Sequence, residues 1–135
     1  MKIYAVIDTN VIVSALLARN PETATVKVLE AFFQGRVVPL VNDDIINEYA
    51  DVLHRPKFRF PGELVNSVIM SIDRTAIRPG RTLSKEDFPD PKDAVFYEVA
   101  LSKDDAYLIT GNTKHFPRTP IVVTPAEMLE ILKRS

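Results

Sequence analysis

The chain contains no cysteine, which excludes disulfide staples and thiolate zinc centres. It has no apolar run near the roughly 20 residues that cross a bilayer as a helix, so no membrane-spanning segment is expected. The short apolar stretch starting at Ile3 is interrupted by Asp8, which argues against a secretory signal and makes a cytoplasmic protein the expectation. Excess charge is missing too. The formal net charge is −1, so any nucleic-acid binding has to rest on a local basic patch. What remains is ordinary for a globular chain: with 135 residues, 46% of them hydrophobic, one domain over 1–135 with a real core is expected.

Apolar segments alternate with amphipathic ones along the chain. Strands are expected over 3–8, 36–41, 76–78, 107–110 and 121–123. Helices are expected between them, the first over about 10–18. The second runs over 23–34 with Val28, Leu29, Phe32 and Phe33 on its apolar face, and Gly35 stops it. Asn42 or Asp43 caps a third, with Ile45, Ile46, Tyr49, Val52 and Leu53 turned inward, and Arg55-Pro56 breaks it. Pro61-Gly62 opens a fourth, with Leu64, Val65, Val68, Ile69 and Ile72 at helical spacing. The stretch 81–89 is polar and reads as a loop. Asp90-Pro91 opens the next helix, and Thr124-Pro125 the last, which carries Met128, Leu129, Ile131 and Leu132. Strands separated by helices predict the α/β class: a parallel sheet with right-handed crossovers and helices on both faces.

The acids carry the chemistry. Asp8 follows the strand Ile3-Tyr4-Ala5-Val6-Ile7, Glu48 lies in the helix after the second strand, and Asp90 and Asp93 open a later helix. In a parallel sheet these positions converge at the carboxyl edge, where open α/β sheets bind ligands. Two carboxylates about 5 Å apart repel by roughly 3 kcal/mol at an effective dielectric of about 20. A divalent cation relieves that, and oxygen ligands suit Mg²⁺ or Mn²⁺. Plainer readings exist for each acid. Asp8 and Asp90 are good helix caps, Asp93 suits the first helical turn, and Glu48 suits a solvated helix face. Asp93 shares a helical stripe with Tyr97 and Ala100, which turns it toward the sheet edge. Thr110-Gly111-Asn112 ends the fourth strand in a tight turn that places two side-chain oxygens nearby. The stretch from His54 to Phe60 alternates cations with aromatics; it reads either as a binding patch or as a solvated loop anchored by its phenylalanines. Arg74, Arg78 and Arg81 form a looser basic group.

Together these segments resemble the PIN-domain nucleases over nearly the whole chain, closest to the toxin branch related to the VapC-type toxins. The resemblance rests on Val6-Ile7-Asp8-Thr9-Asn10-Val11, on Glu48-Tyr49-Ala50-Asp51-Val52-Leu53-His54-Arg55-Pro56-Lys57-Phe58, on Asp90-Pro91-Lys92-Asp93 with Ala100 beyond it, and on Leu108-Ile109-Thr110-Gly111-Asn112. Each string is weak alone; their order and spacing are specific. The resemblance implies a three-layer α/β/α sandwich around a parallel sheet of about five strands, and Mg²⁺- or Mn²⁺-dependent cleavage of RNA. It marks Asp8, Glu48 and Asp93 as the acidic core that holds the metal and Asp90 as an auxiliary acid. Asn112 stands where a fourth acid is usual, offering a carbonyl oxygen to the metal but no charge. Thr9, Asn10 and Thr110 are expected to hold waters or phosphate oxygens, and Lys114, Arg55, Lys57 and Arg59 the RNA backbone. Phe58 or Phe60 would stack on a base. The implied partners are RNA, a small antitoxin protein encoded nearby and a second copy of the chain. Two alternatives stand beside this reading. One is a degenerate PIN module that binds protein or RNA, with Asn112 marking the decay. The other is a phosphoryl-transfer protein with Asp8 as nucleophile and Lys114 as its cation. The second lacks the aspartate two residues after Asp8 that many phosphatases use, and leaves Glu48 without a role.

Overall fold

Ile3–Ile7 form β1, buried along its length except at half-exposed Tyr4. A strand so apolar has to be covered on both faces. In the computed structural model, which describes residues 2–135, it lies inside the sheet. β2 (Val37–Pro39) pairs on one side, β3 (Tyr107–Ile109) on the other, and β4 (Val122–Val123) adds beyond β3. The four strands are parallel, in the order β2-β1-β3-β4. The fifth expected strand is reduced to one parallel bridge between Leu40 and Ile77. Two backbone bonds hold it, Ile77 N–H to Pro39 O at 2.9 Å and Val41 N–H to Ile77 O at 3.1 Å. Pro79 has no amide to extend the ladder, and the preceding helix runs to Thr75, so the strand has no room to grow.

Among the described residues, six helices surround the sheet: α1 (Thr9–Leu17), α2 (Ala24–Phe33), α3 (Asp43–Leu53), α4 (Gly62–Thr75), α5 (Ala94–Leu101) and α6 (Pro125–Lys133). The step from β1 to β2 runs in one direction along the sheet and the return from β2 to β3 in the other. Right-handed crossovers therefore put α1 and α2 on one face and α3 to α5 on the opposite face. α2 touches α1 and α6, α5 lies on β1 and β3, and α3 packs on α4 and α5; α1 also meets α3, and α2 meets α4. Among the described residues, no helix is long and apolar enough to cross a membrane.

Local chemistry sets the helix ends. Asn42 Oδ1 accepts the Ile45 amide at 2.8 Å and starts α3. Gly35, at φ +77°, ends α2 in the left-handed region where a side chain is strained. Thr124 and Glu127 form a reciprocal capping box at α6. The apolar stripes are narrower than the sequence suggests: Phe33 is 48% exposed and Leu64 40% exposed, each lying at the margin of its helix face. The expected helix at Asp90-Pro91 begins as a 3₁₀ turn, Pro91–Asp93, before α5 takes over. The loop 81–89 is irregular but anchored. Arg81 Nε and the Ser84 amide donate to the buried Glu98 carboxylate at 2.7 and 2.6 Å. Burial opposes the charge on Glu98, yet those donors win and hold its pKa below the ordinary value.

Candidate active site

The chain reverses direction at β1, whose neighbours β2 and β3 are reached by crossovers on opposite faces. Open α/β sheets form their ligand crevice at such a switch point, outside the carboxyl ends of the strands. Ile7 and Ile109 are register partners, so the residues after them, Asp8 and Thr110, come out side by side. Thr110 Oγ1 donates to Asp8 Oδ2 at 2.7 Å and accepts the Asn112 amide at 3.0 Å. Asp8 occupies the N-cap position of α1, but its side chain makes no capping bond; the carboxylate turns to Thr110 instead. It is only 6% exposed. Burial raises its pKa, against the pull of Thr110, the Asn10 and Thr9 amides and His115.

Glu48 arrives on α3. The next residue, Tyr49, is buried and donates its hydroxyl to the Ile7 carbonyl, which docks α3 against the end of β1. Asp90 and Asp93 arrive at the turn before α5. The Asp90 side chain accepts the Lys92 amide at 3.0 Å, so its capping role is real. Asp93 makes no capping bond; its Oδ2 lies 3.6 Å from His115 Nδ1. Its pKa is raised from 3.8 to about 6, first by burial, then by Asp8, Asp90 and, more weakly, Glu48, with His115 opposing. Acids from two other parts of the chain, and Asp90 beside it, thus act on Asp93.

The four acids line a cleft of about 260 Å³ together with Thr9 and Asn10. Arg55, Lys57 and Lys92 supply cations at its walls, His115 an imidazole, and Phe58 and Phe96 apolar surface. Several expected residues sit elsewhere. Thr110 supports Asp8 from beneath. Asn112 lines a neighbouring hollow with Asn10 and Thr25. Lys114 lines another with Arg118. Arg59 is in the left-handed region, φ 56°, and does not line the cleft. Its reversal lets the Phe58 and Phe60 rings stack, centroids 5.5 Å apart. Phe60 packs on the core, while Phe58 faces the cleft with Lys57 Nζ 5.1 Å from its ring centroid. In the looser basic group, Arg78 pairs with Asp73 and Asp43 and Arg81 with Glu98, which gives both structural work. Sequence reasoning turned Tyr49 inward but gave no sign of its bond to the end of β1. It also passed over Lys92, inside the Asp90–Asp93 string, and gave His115 no contact with an acid.

The donors around Asp8 and Asp93 are hard carboxylate oxygens. Among the described residues, no three carboxylate or imidazole side chains form a ready-made metal cage. Mg²⁺ does not need one: it usually takes one or two protein carboxylates and keeps waters or substrate phosphates in its remaining positions. The buried Thr9 hydroxyl, next to Asp8, has no partner in the protein. The residues present therefore fit a hydrated hard cation.

Residues 4–114, which include all four acids, match the family model described as PIN domain. No curated protein and no solved structure matches the chain.

Proposed function

The chain belongs to the PIN-domain family, whose members are generally nucleases, and from that premise we propose that it is a Mg²⁺- or Mn²⁺-dependent endoribonuclease, the toxin of a VapC-type toxin–antitoxin pair. The observation that carries the reading is Asp93, pushed to about 6 by burial and by Asp8, Asp90 and Glu48. A fold gains no stability from gathering acids that repel one another; a site for a cation and a phosphate does need them.

Asp8 and Asp93, with Glu48, would hold the cation directly or through waters. Bound there, it supplies Lewis acidity toward a phosphate oxygen and lowers the pKa of a bound water. Thr110 keeps the Asp8 carboxylate oriented and favours its charged form. Asp90 already accepts the Lys92 amide, so Glu48 is the better-placed group to take the proton of the attacking water. The water oxygen bonds to phosphorus, the bond to one ribose oxygen breaks, and that oxygen is protonated from solvent. Arg55, Lys57 and Lys92 hold flanking phosphates, and Phe58 offers a ring face to a base. The toxin role, the small antitoxin partner, self-association and a cytoplasmic location rest on the sequence resemblance.

The phosphoryl-transfer alternative is disfavoured, because Asp8 is buried and bonded to Thr110 and Lys114 lines a different hollow. The test is cleavage of a fluorogenic single-stranded RNA with and without Mn²⁺, beside calorimetric Mn²⁺ binding. Metal-dependent cleavage lost in Asp8→Asn and Asp93→Asn is expected. No metal binding and no cleavage would leave a degenerate binding module.

A further inference from the structure

We infer that the buried Glu98 is a positioning residue for the acid cleft: by seating residues 81–84 on α5, it fixes Asp90 and Asp93 relative to Glu48. The inference rests on the nuclease reading above.

Glu98 is 4% exposed and takes no part in the metal or phosphate chemistry just described. Both its carboxylate oxygens are engaged. Oε1 accepts Arg81 Nε at 2.7 Å, and Oε2 accepts the Ser84 amide at 2.6 Å. Its carbonyl accepts the Thr82 amide at 3.1 Å. One turn further along, Ser102 Oγ lies 3.1 Å from Thr82 Oγ1. One helix position therefore ties down residues 81, 82 and 84.

The far end of this strap is seated as well. Phe88 packs on Tyr97 and Phe116, with ring centroids 5.8 and 6.4 Å apart. Asp90 follows two residues later and caps the turn that ends at Asp93. The chain that enters the acid turn is thus pinned at both ends, and each pin rests on the helix that leaves the turn. Arg81 extends the seat to α3. Its Nη1 lies 4.0 Å from Asp44 Oδ2, and it lines a hollow of about 390 Å³ together with Glu48 and Lys92. The guanidinium stands between the helix that carries Glu48 and the helix that follows Asp93.

Burying an ion pair costs desolvation, and well-packed apolar residues of similar volume are often as stable. What the pair adds here is direction. Three bonds to one residue give the strap a single path into Asp90, whereas apolar contacts would let it slide.

The test uses the intact protein and the variants Arg81→Ala and Glu98→Gln, with Lys85→Ala, an exposed strap position, as control. Hydrogen exchange without metal should speed up in both variants over residues 81–89 and over 90–96. Mn²⁺ affinity by calorimetry should fall about tenfold, the usual loss when support behind a ligand is removed. The kcat for RNA should fall with it and KM should change less, because Arg55 and Lys57 lie outside the strap. Lys85→Ala should match wild type in all three. Faster exchange confined to 81–89, or a lower melting temperature with Mn²⁺ affinity and kcat retained, would overturn the inference and leave Glu98 an anchor of the fold. Should Glu98→Gln fail to fold, Arg81→Ala still decides, since its side chain is partly exposed and the Ser84 bond survives. A wild type that neither binds Mn²⁺ nor cleaves RNA would remove the nuclease reading, while the exchange pattern, which needs neither, still decides whether Glu98 sets the acid turn.

Discussion

Tyr49 on α3 donates a 2.6 Å hydrogen bond to the carbonyl of Ile7, the last residue of β1. The donor is the residue after Glu48 and the acceptor is the residue before Asp8, so one buried contact sets the spacing of two acids. Tyr49→Phe should cost about 1 kcal/mol in equilibrium urea unfolding and lower kcat more than it raises KM for RNA, because it loosens the acids and leaves the phosphate-binding rim alone. Unchanged stability and turnover would show that packing alone, through the Tyr49–Phe96 ring pair at 6.4 Å, positions α3.

The raised pKa of Asp93 fixes the sign of a pH effect. Between the unfolded value of 3.8 and the folded value of about 6, the native state holds more protons than the unfolded chain. In metal-free protein the Asp93 contribution to stability therefore falls as pH rises through that window and is flat above it. Asp8, also raised by burial, acts in the same direction, whereas Glu98, whose pKa is lowered, acts in the opposite one. The informative measurement is thus the difference between wild type and Asp93→Asn in melts from pH 4 to pH 7. The variant should gain on wild type as pH rises and melt higher at pH 7. A lower melting temperature at every pH would make Asp93 a structural ion-pair partner of His115.

Mn²⁺ should reverse that slope. Carboxylates have to be unprotonated to bind a cation, so affinity should fall as pH drops below about 6, as should any metal-induced rise in melting temperature. Affinity constant between pH 5 and pH 7 would place the cation away from Asp93.

Thr110→Val removes the hydroxyl that favours the charged form of Asp8. Support of this kind is worth about tenfold or more in metal affinity. The acid limb of the activity profile should move to higher pH, and Thr110→Ser should restore it. If Thr110→Val and Thr110→Ser behave alike, the hydroxyl has no part in the site.

Replacing Arg55 and Lys57 with Ala should weaken RNA binding and reduce its salt slope by roughly 0.7 per lost phosphate contact on a single strand, with Mn²⁺ affinity retained. Arg59→Ala, outside the cleft, should leave the slope alone. Asn112→Asp belongs with these tests: residue 112 lines the neighbouring hollow with Asn10 and Thr25 and not the acid cleft, so Mn²⁺ affinity should change little. A clear rise would bring residue 112 into the donor set.

The layered fold was legible because its cause is local. Ile3–Ile7 is too apolar for a surface strand, and Asn42, Gly35 and Thr124 mark helix ends by chemistry that acts within four residues. Asp8 stood out for the same reason. Glu48 did not: nothing nearby in sequence distinguishes it from Asp51, and only the family resemblance selected it before the fold brought it to the cleft that Asp8 lines. Contacts between distant residues stayed hidden, as with Arg81 and Ser84 on Glu98 or His115 beside Asp93. The choice between Phe58 and Phe60 turned on the left-handed backbone of Arg59, which alternation along a sequence does not reveal. Asn112 lies near Thr110 in the chain, yet it lines a neighbouring hollow rather than the acid cleft.

The bond between Thr110 and Asp8 spans 102 residues. Synthesis at about 5–20 residues per second separates the two by roughly 5–20 s. During that interval a growing chain displays Asp8, then Glu48 and late on Asp93, with no hydroxyl to orient the first. The acid cleft is therefore assembled only when the last strands close the sheet.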